Sequence, residues 1–355
     1  MKKMKWTLPA MALTLFLAGC SKDDSPITPT PVTAGVYVLN EGNWGKNNST
    51  LTYYDINNKK ASTDFYETVN GSKLGDTGND MLIYGSKLYI VMNVSSYIEV
   101  AEASTAKSIK KIPMVTGSDS RSPRYAVPYK NKVLISNYDG TVAVLDTASL
   151  TIDKSITVGS NPEQMAVVGD KLYVANSGGL NFPVYDSTLS VIDLNTLTET
   201  KKIKVGTSPV KLAAGDGKLF VLCTGNYADI APSIVSVSTS TDEPTGHRDI
   251  NGGTLVFYNS KLFVSSGYGA TTAGITVLKT TDLSTDTEQF ISDGTSVTTP
   301  YGMMIDGETG DVFLTDVKDY VSSGEVFCFD KTGKKKYSFM VTPGVSPNKV
   351  VVVKK

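Results

Sequence analysis

The chain has 355 residues, of which 40% are hydrophobic and 19% are charged, so it is long enough to bury a large core in one or two domains. Its formal net charge of −1 lacks the basic excess that nucleic-acid binding requires, and we expect no nucleic-acid partner. One histidine and three cysteines exclude most zinc sites built from Cys and His ligands.

Residues 1–19 are predicted to be a lipoprotein signal peptide. A lysine-rich start precedes a mostly apolar run over residues 6–18, which is too short to span a membrane. The run ends in Leu17-Ala18-Gly19-Cys20, which resembles a bacterial lipobox and implies cleavage before Cys20 and lipidation of its sulfur. Acyl chains contribute about 0.8 kcal/mol per buried methylene, so a multiply acylated Cys20 would hold the protein at a membrane. An ordinary secretory signal that happens to end in cysteine is the alternative.

Residues 20–34 are predicted to be the lipidated cysteine and a flexible surface tether. The cluster Ser21-Lys22-Asp23-Asp24 resembles the acidic export signal that sends Bacteroidetes lipoproteins to the outer face of the outer membrane. Three prolines that follow favour an extended chain without a core of its own. We therefore expect a lipid-anchored protein on the cell surface, with a plain soluble spacer as the alternative.

Residues 35–355 carry an internal repeat. The pattern V-G-x-x-P at residues 158–162 recurs at residues 205–209, and periods near this length are typical of propeller blades. Seven apolar segments, mostly introduced by a Gly or Asn turn, recur every 39 to 52 residues and are predicted to be the second strand of each blade. These segments are residues 36–40, 88–92, 133–137, 172–176, 219–222, 262–265 and 312–315.

A second apolar stretch precedes each of these strands except the first, and the chain ends in an unpartnered apolar stretch at residues 350–353. We expect this C-terminal strand to complete the N-terminal blade and close the ring, because closure removes free sheet edges. The predicted fold is all-β: a single seven-bladed β-propeller, with six or eight blades as the alternatives. The repeats resemble those of YVTN/YncE-like propellers.

Each of the seven loops that follow the second strands carries an aromatic residue, usually beside Asn or Gly. Aromatic residues are only 9% of the chain, so their recurrence favours a ligand-binding ring around one mouth of the propeller. The alternative is that each ring packs between neighbouring blades. The predicted ligand-binding residues from these loops are Trp44, Asn93, Tyr97, Tyr138, Phe182, Tyr185, Tyr227, Tyr268 and Tyr320.

The loops that enter the inner strands are predicted to face the same mouth and to form a polar pocket floor, with solvated loop charges as the alternative. They carry Asn79, Asp80, Arg124, Glu163, Gln164, Lys211, Tyr301 and Lys349, of which Arg124 and Tyr301 complete the predicted ligand-binding set. The sequence contains no G-x-S-x-G, G-x-x-x-x-G-K-[ST] or C-x-x-C motif. We therefore predict no catalytic residues, no metal site and no required cofactor, and we expect Cys223 and Cys328 to be buried free thiols.

The first blade begins with V-L-N-E-G-N-W at residues 38–44, followed by N-S-T-L-T-Y-Y-D at residues 48–55. This opening resembles a family of Bacteroidetes surface-lipoprotein propellers that includes the BtuG-type cobalamin-capture proteins. Together with the lipobox and the acidic signal, the resemblance covers the whole chain. It implies capture of cobalamin, or another corrinoid, as a transported ligand and its delivery to a TonB-dependent outer-membrane cobalamin transporter. Carry-over of individual residues is limited to Trp44 and its neighbours in the first blade.

Two other functions remain open at this stage. The first is a glycan- or protein-binding propeller of the same export class. The second is a metal-dependent, lactonase-like propeller, which would need oxygen ligands on the central axis. Asn79, Asp80 and Glu163 are the candidates for such a site.

Overall fold

The computed structural model describes Met1 and residues 33–354. The predicted signal peptide at residues 1–19, the lipidation site Cys20 and nearly all of the predicted tether lie outside the described residues. The propeller occupies the unit Thr33–Lys355. Among the residues described, no helix is both long and apolar enough to cross a membrane.

The first three blades use strands from the N-terminal half of the chain. Blade 1 contains β1 (Thr33–Asn40), β2 (Thr50–Asp55) and β3 (Lys60–Ser62), and helix α1 (Phe65–Asn70) leads to blade 2. Blade 2 contains β4 (Gly78–Tyr84), β5 (Lys87–Met92), β6 (Tyr97–Glu102) and β7 (Ser108–Pro113), followed by the small hairpin β8 (Val115–Thr116) and β9 (Asp119–Ser120). Blade 3 contains β10 (Pro123–Tyr129), β11 (Lys132–Asn137), β12 (Thr141–Asp146) and β13 (Ile152–Thr157).

The remaining blades repeat the same order of strands. Blade 4 contains β14 (Pro162–Val168), β15 (Lys171–Asn176), β16 (Thr188–Asp193) and β17 (Thr198–Lys204), and blade 5 contains β18 (Pro209–Gly215), β19 (Lys218–Cys223), β20 (Ser233–Ser238) and β21 (Glu243–Asp249). Blade 6 contains β22 (Gly252–Tyr258), β23 (Lys261–Ser266), β24 (Ile275–Lys279) and β25 (Thr285–Thr287). Blade 7 contains β26 (Pro300–Ile305), β27 (Val312–Asp316), β28 (Ser323–Phe329) and β29 (Lys335–Val345), and the chain ends in β30 (Pro347–Lys354).

The last strand closes the ring. β30 pairs antiparallel with β1, from Asn40 opposite Pro347 to Thr33 opposite Lys354, and so forms the inner strand of blade 1. Each blade is then a four-stranded sheet, and the inner strands contact one another around the ring. The predicted seven-bladed fold and its C-terminal closure are therefore confirmed.

Burial explains why the second strands have almost continuous apolar sequences. The segment of β5 from Leu88 to Met92 is fully buried, because neighbouring blades cover both faces of the sheet. Helix α1 adds Tyr66 to the core between blades 1 and 2. Cys223 and Cys328 are buried free thiols within strands, as predicted.

The V-G-x-x-P repeat has a steric cause. A Cβ on Gly159 would lie 2.3 Å from the Cγ of Asn176, the last residue of β15, and a Cβ on Gly206 would lie 2.9 Å from the Sγ of Cys223, the last residue of β19. Glycine thus lets the connection between blades pass over the end of the second strand. The proline that follows begins the inner strand.

Most inner strands contain a bulge directly after their first residue. In blade 4, Glu163 and Gln164 lie opposite the single residue Ala175, because the pairing shifts between Pro162 and Met165. Shifts at the corresponding place occur in blades 2, 3, 5, 6 and 7. A bulge re-aims side chains locally, and here consecutive side chains face the central axis.

Candidate functional site

A cavity of about 390 Å³ lies on the central axis, at the end of the ring where the loops after the second strands meet. We call this end the mouth. All eight residues of the predicted polar floor line the cavity, at or near the start of the inner strands. Their placement follows from the bulges described above. The wall is formed by the loops of blades 5, 6 and 7, through Tyr227, Tyr268 and Tyr320.

Arg124 and Glu163 form the most extensive polar contact of the floor. The guanidinium Nε lies 3.0 Å from Glu163 Oε2, and its Nη1 donates to the side-chain oxygen of Asn79. The hydroxyl of Tyr138 donates to Glu163, and the ring of Tyr138 lies 4.5 Å from the guanidinium. Burial alone would lower the pKa of Arg124, but the Glu163 carboxylate and the surrounding phenols raise it above its ordinary value. Arg124 therefore stays charged and fixed in place.

Two lysines face the cavity from other inner strands. The Nζ of Lys349 lies 2.8 Å from Asp80, whose second oxygen accepts a hydrogen bond from the backbone of Ala126 at 3.0 Å. The Nζ of Lys211 donates to the hydroxyl of Tyr125 at 2.5 Å. Burial opposes the charged form of Lys211, but the contact with Tyr125 and the field of Glu163 together outweigh it and raise the pKa of the amine.

Glu41 and Tyr301 form a third polar pair. The Tyr301 hydroxyl donates to Glu41 Oε2 at 2.8 Å. Burial raises the pKa of Glu41, and the hydrogen bond from Tyr301 and the field of Arg124 offset only part of this effect. The ring of Tyr301 meets that of Tyr320 edge to face, with 5.9 Å between their centroids.

Aromatic side chains from the loops of blades 5, 6 and 7 border the cavity on one side of the mouth. Tyr227 and Tyr268 are 75% and 81% exposed although both line the cavity. Tyr227 and Tyr320 have left-handed backbones, with φ values of 57° and 63°, which are uncommon for residues with bulky side chains. The cavity thus joins exposed rings to a floor of paired charges, and such a site can bind a ligand that is both flat and polar.

Five of the eleven predicted ligand-binding residues line the cavity: Arg124, Tyr227, Tyr268, Tyr301 and Tyr320. Tyr138 supports the floor through Glu163. Trp44, Phe182 and Tyr185 lie in the mouth loops of blades 1 and 4 but do not line the cavity, and Phe182 and Tyr185 meet edge to face.

The last two predicted residues contact neighbouring segments of the protein. Asn93 donates its side-chain amide to the carbonyl of Pro123 at 3.1 Å, which joins blade 2 to blade 3. The hydroxyl of Tyr97 donates to the carbonyl of Leu74, and Lys111 lies over its ring. Tyr97 therefore adopts the position between blades that the packing alternative describes.

Sequence reasoning missed Tyr125, which lines the cavity beside Arg124. Comparison of the repeats could have identified it. Tyr125 follows Arg124 in blade 3 just as Gln164 follows Glu163 in blade 4, and both pairs occupy a bulge. Without the bulge, alternation along a strand would direct only one residue of each pair to the axis.

The side chains considered as metal ligands are bound to Lys349 and Arg124. Asp80 is paired with Lys349, and both Asn79 and Glu163 are bound by Arg124. Within residues 33–354, no group of three or more His, Cys, Asp or Glu side chains is placed to hold a metal ion.

The family model described as "Domain of unknown function (DUF5074)" matches residues 34–342. The chain belongs to the DUF5074 family. No curated protein matches its sequence.

Solved structures resemble the DUF5074 propeller in fold. A quinonprotein alcohol dehydrogenase-like protein from Bacteroides thetaiotaomicron VPI-5482 is 15% identical, with a TM-score of 0.66 over 91% of this chain and 79% of that chain. BamB from Moraxella catarrhalis is 14% identical, with a TM-score of 0.51 over 76% of this chain and 74% of that chain. Dihydro-heme d1 dehydrogenase NirN, in complex with DHE, is 12% identical, with a TM-score of 0.59 over 91% of this chain and 68% of that chain. At such identities the likeness concerns the fold alone.

Proposed function

We propose that this DUF5074 propeller is a non-enzymatic capture protein for cobalamin or a related corrinoid. It binds the ligand at its mouth and delivers it to a TonB-dependent outer-membrane transporter, while lipid on Cys20 anchors it at the cell surface. The observation that carries the proposal is the combination, in one cavity, of the exposed rings of Tyr227 and Tyr268 with a floor of charged and amide groups.

The chemistry of a corrinoid matches this combination. Its macrocycle offers broad faces to aromatic rings, and its peripheral amides need both hydrogen-bond donors and acceptors. Two ion pairs, Arg124 with Glu163 and Lys349 with Asp80, cancel most of the charge on the floor. Neutral amides can therefore bind there without competing against a strong net charge. In this arrangement the corrin ring lies against the exposed tyrosines at the mouth, and its peripheral amides reach towards the polar floor.

Exposed apolar side chains also extend beyond the cavity. Trp44, Leu180, Phe182 and Val184 are each at least 70% exposed, and all lie in the mouth loops of blades 1 and 4. Exposed apolar groups on the loops at one end of a protein are typical of a surface that meets another macromolecule. This supports docking of the mouth on a transporter.

Isothermal titration calorimetry with cyanocobalamin tests the proposal. We expect saturable binding by the unaltered protein and a loss of about tenfold in affinity for Tyr268→Ala, because an aromatic contact contributes about 1 kcal/mol beyond the area it buries. Phe182→Ala is the matched control, since Phe182 is an equally exposed ring in the corresponding loop of blade 4, outside the cavity. Absence of binding at micromolar protein concentrations would refute corrinoid capture.

A glycan-binding function is the second candidate. Exposed tyrosines beside carboxylates and amides also suit the stacking of a sugar ring and the bonding of its hydroxyls. A glycan array probed with the unaltered protein and with Tyr268→Ala distinguishes the two functions. Glycan signals that disappear in the variant, without corrinoid binding, would favour this candidate.

A further inference from the structure

Three cations face the cavity, and one of them differs from the others. Arg124 and Lys349 each form an ion pair with a carboxylate of the floor. Lys211 forms none with any carboxylate of residues 33–354, although it is partly buried and lines the same cavity. A partly buried ammonium without a counter-ion favours the approach of an anion.

The carboxylates that line the cavity already have other partners. The side chain of Glu163 accepts from Arg124 and Tyr138, and Asp80 is paired with Lys349. Glu41 is bound by the Tyr301 hydroxyl. The fields of Glu163 and Glu41 reach Lys211, but no carboxylate of residues 33–354 forms an ion pair with it, so its ammonium is open to a bound molecule.

Tyr125 supplies a second donor beside Lys211. The ammonium has three N–H groups and uses one to donate to the Tyr125 oxygen, which leaves two without an acceptor among residues 33–354. As this oxygen accepts from Lys211, the phenol keeps its own proton to donate. Tyr125 is only 9% exposed, its ring lies 4.6 Å from the Lys211 Nζ, and the Arg124 guanidinium also packs against it. The two donors are thus held together before a ligand arrives.

We infer that Lys211 and Tyr125 form an anion-binding position in the cavity, and that it receives the phosphodiester of the nucleotide loop of a bound corrinoid. This inference rests on the proposed function. Its consequence is selectivity: the protein prefers a complete cobalamin to cobinamide, which lacks the nucleotide loop and its phosphodiester. A charge-assisted hydrogen bond of this kind corresponds to about tenfold or more in affinity.

Calorimetry with cyanocobalamin and dicyanocobinamide on the full propeller tests the inference. For Lys211→Met we expect cobalamin binding to weaken about tenfold and cobinamide binding to stay unchanged, so that the preference disappears. Tyr125→Phe should weaken cobalamin binding by a smaller factor, and Lys211→Arg should keep most of the preference. Lys46→Met, which removes an exposed lysine of the blade 1 mouth loop, is the matched control and should alter neither affinity.

Equal weakening of both ligands by Lys211→Met, or no weakening of either, would overturn the inference. If the unaltered protein binds neither corrinoid, the proposed function fails and a separate measurement decides about Lys211. That measurement compares the melting temperature in dimethyl phosphate with the melting temperature in sodium chloride of equal ionic strength. If dimethyl phosphate raises the melting temperature of the unaltered protein but not that of Lys211→Met, the anion position is supported. If both proteins respond alike, it is contradicted.

Discussion

At the scale of single residues, Glu99 on β6 is a fully buried carboxyl in the core between blades 1 and 2. The Ser108 hydroxyl donates to its Oε1 at 2.5 Å. Burial raises the pKa of Glu99, and the hydrogen bond from Ser108, the neighbouring Tyr66 hydroxyl and the field of Lys111 offset part of this effect. The folded protein therefore holds the Glu99 proton to a higher pH than the unfolded chain does.

The raised pKa of Glu99 determines how the free energy of unfolding changes with pH. With a folded pKa above the unfolded value of about 4.3, the contribution of Glu99 is most favourable below that value and is lost as pH rises through the folded pKa. Glu99→Gln should raise the free energy of unfolding by about 1 kcal/mol at pH 8, and the gain should shrink towards pH 4. Urea unfolding at several pH values measures this effect. Glu288→Gln, at an exposed carboxylate, should show no comparable gain, and a gain independent of pH would contradict the argument.

The sequence predicts which loops carry aromatic residues but not where each ring points. Tyr97 and Tyr268 occupy corresponding loops, yet Tyr97 is already the first residue of β6 and its ring turns into the gap between blades. Tyr268 lies in the longer loop of residues 267–274 and projects into solvent at the cavity. Loop length and the shape of the adjacent blade decide between these outcomes, and neither is encoded by the aromatic residue itself.

At the scale of elements, the contact between Gly159 and Asn176 fixes how one blade follows another. The side-chain nitrogen of Asn176 donates to the hydroxyls of Thr188 and Ser190, at 3.0 Å each, so Asn176 cannot move aside for a larger neighbour. Gly159→Ala should therefore lower the free energy of unfolding by about 1–3 kcal/mol. Gly307→Ala is the control, because a Cβ there meets nothing within 4 Å, and it should cost less than about 0.5 kcal/mol. Equal effects in urea unfolding would refute the steric explanation.

The elements themselves follow from the sequence more fully than the site does. Apolar runs bounded by turns locate the second strand of every blade, and the unpartnered run at residues 350–353 identifies the closing strand. The bulges of the inner strands leave no signal in hydrophobic alternation, since they depend on the register of two strands. An argument from alternation therefore overlooks Tyr125, and only its position in the repeat, next to Arg124 as Gln164 is next to Glu163, indicates it.

At the scale of the whole molecule, stability depends on the pairing of β30 with β1. β30 also carries Asn348, whose side chain donates to the carbonyls of Gly78 and Asn79 at 2.9 and 3.0 Å and so joins blades 1 and 2. Removal of residues 347–355 should abolish the cooperative thermal transition, because it exposes an edge of β1 and opens the ring. A synthetic peptide of residues 346–355 should restore the transition when it is added to the shortened chain. A shortened chain that melts like the intact protein would contradict this role for β30.

The pairing of β1 with β30 also determines how the protein can be attached to a surface for measurement. Asn40 and Pro347 pair beside the mouth, whereas Thr33 and Lys354 pair at the other end of the same two strands. At about 3.3 Å per residue, these ends lie roughly 23 Å from the mouth. A biotin or affinity tag placed after the C-terminus would thus immobilise the ring with its cavity facing the solution, so that ligands and partner proteins can be delivered to it by flow.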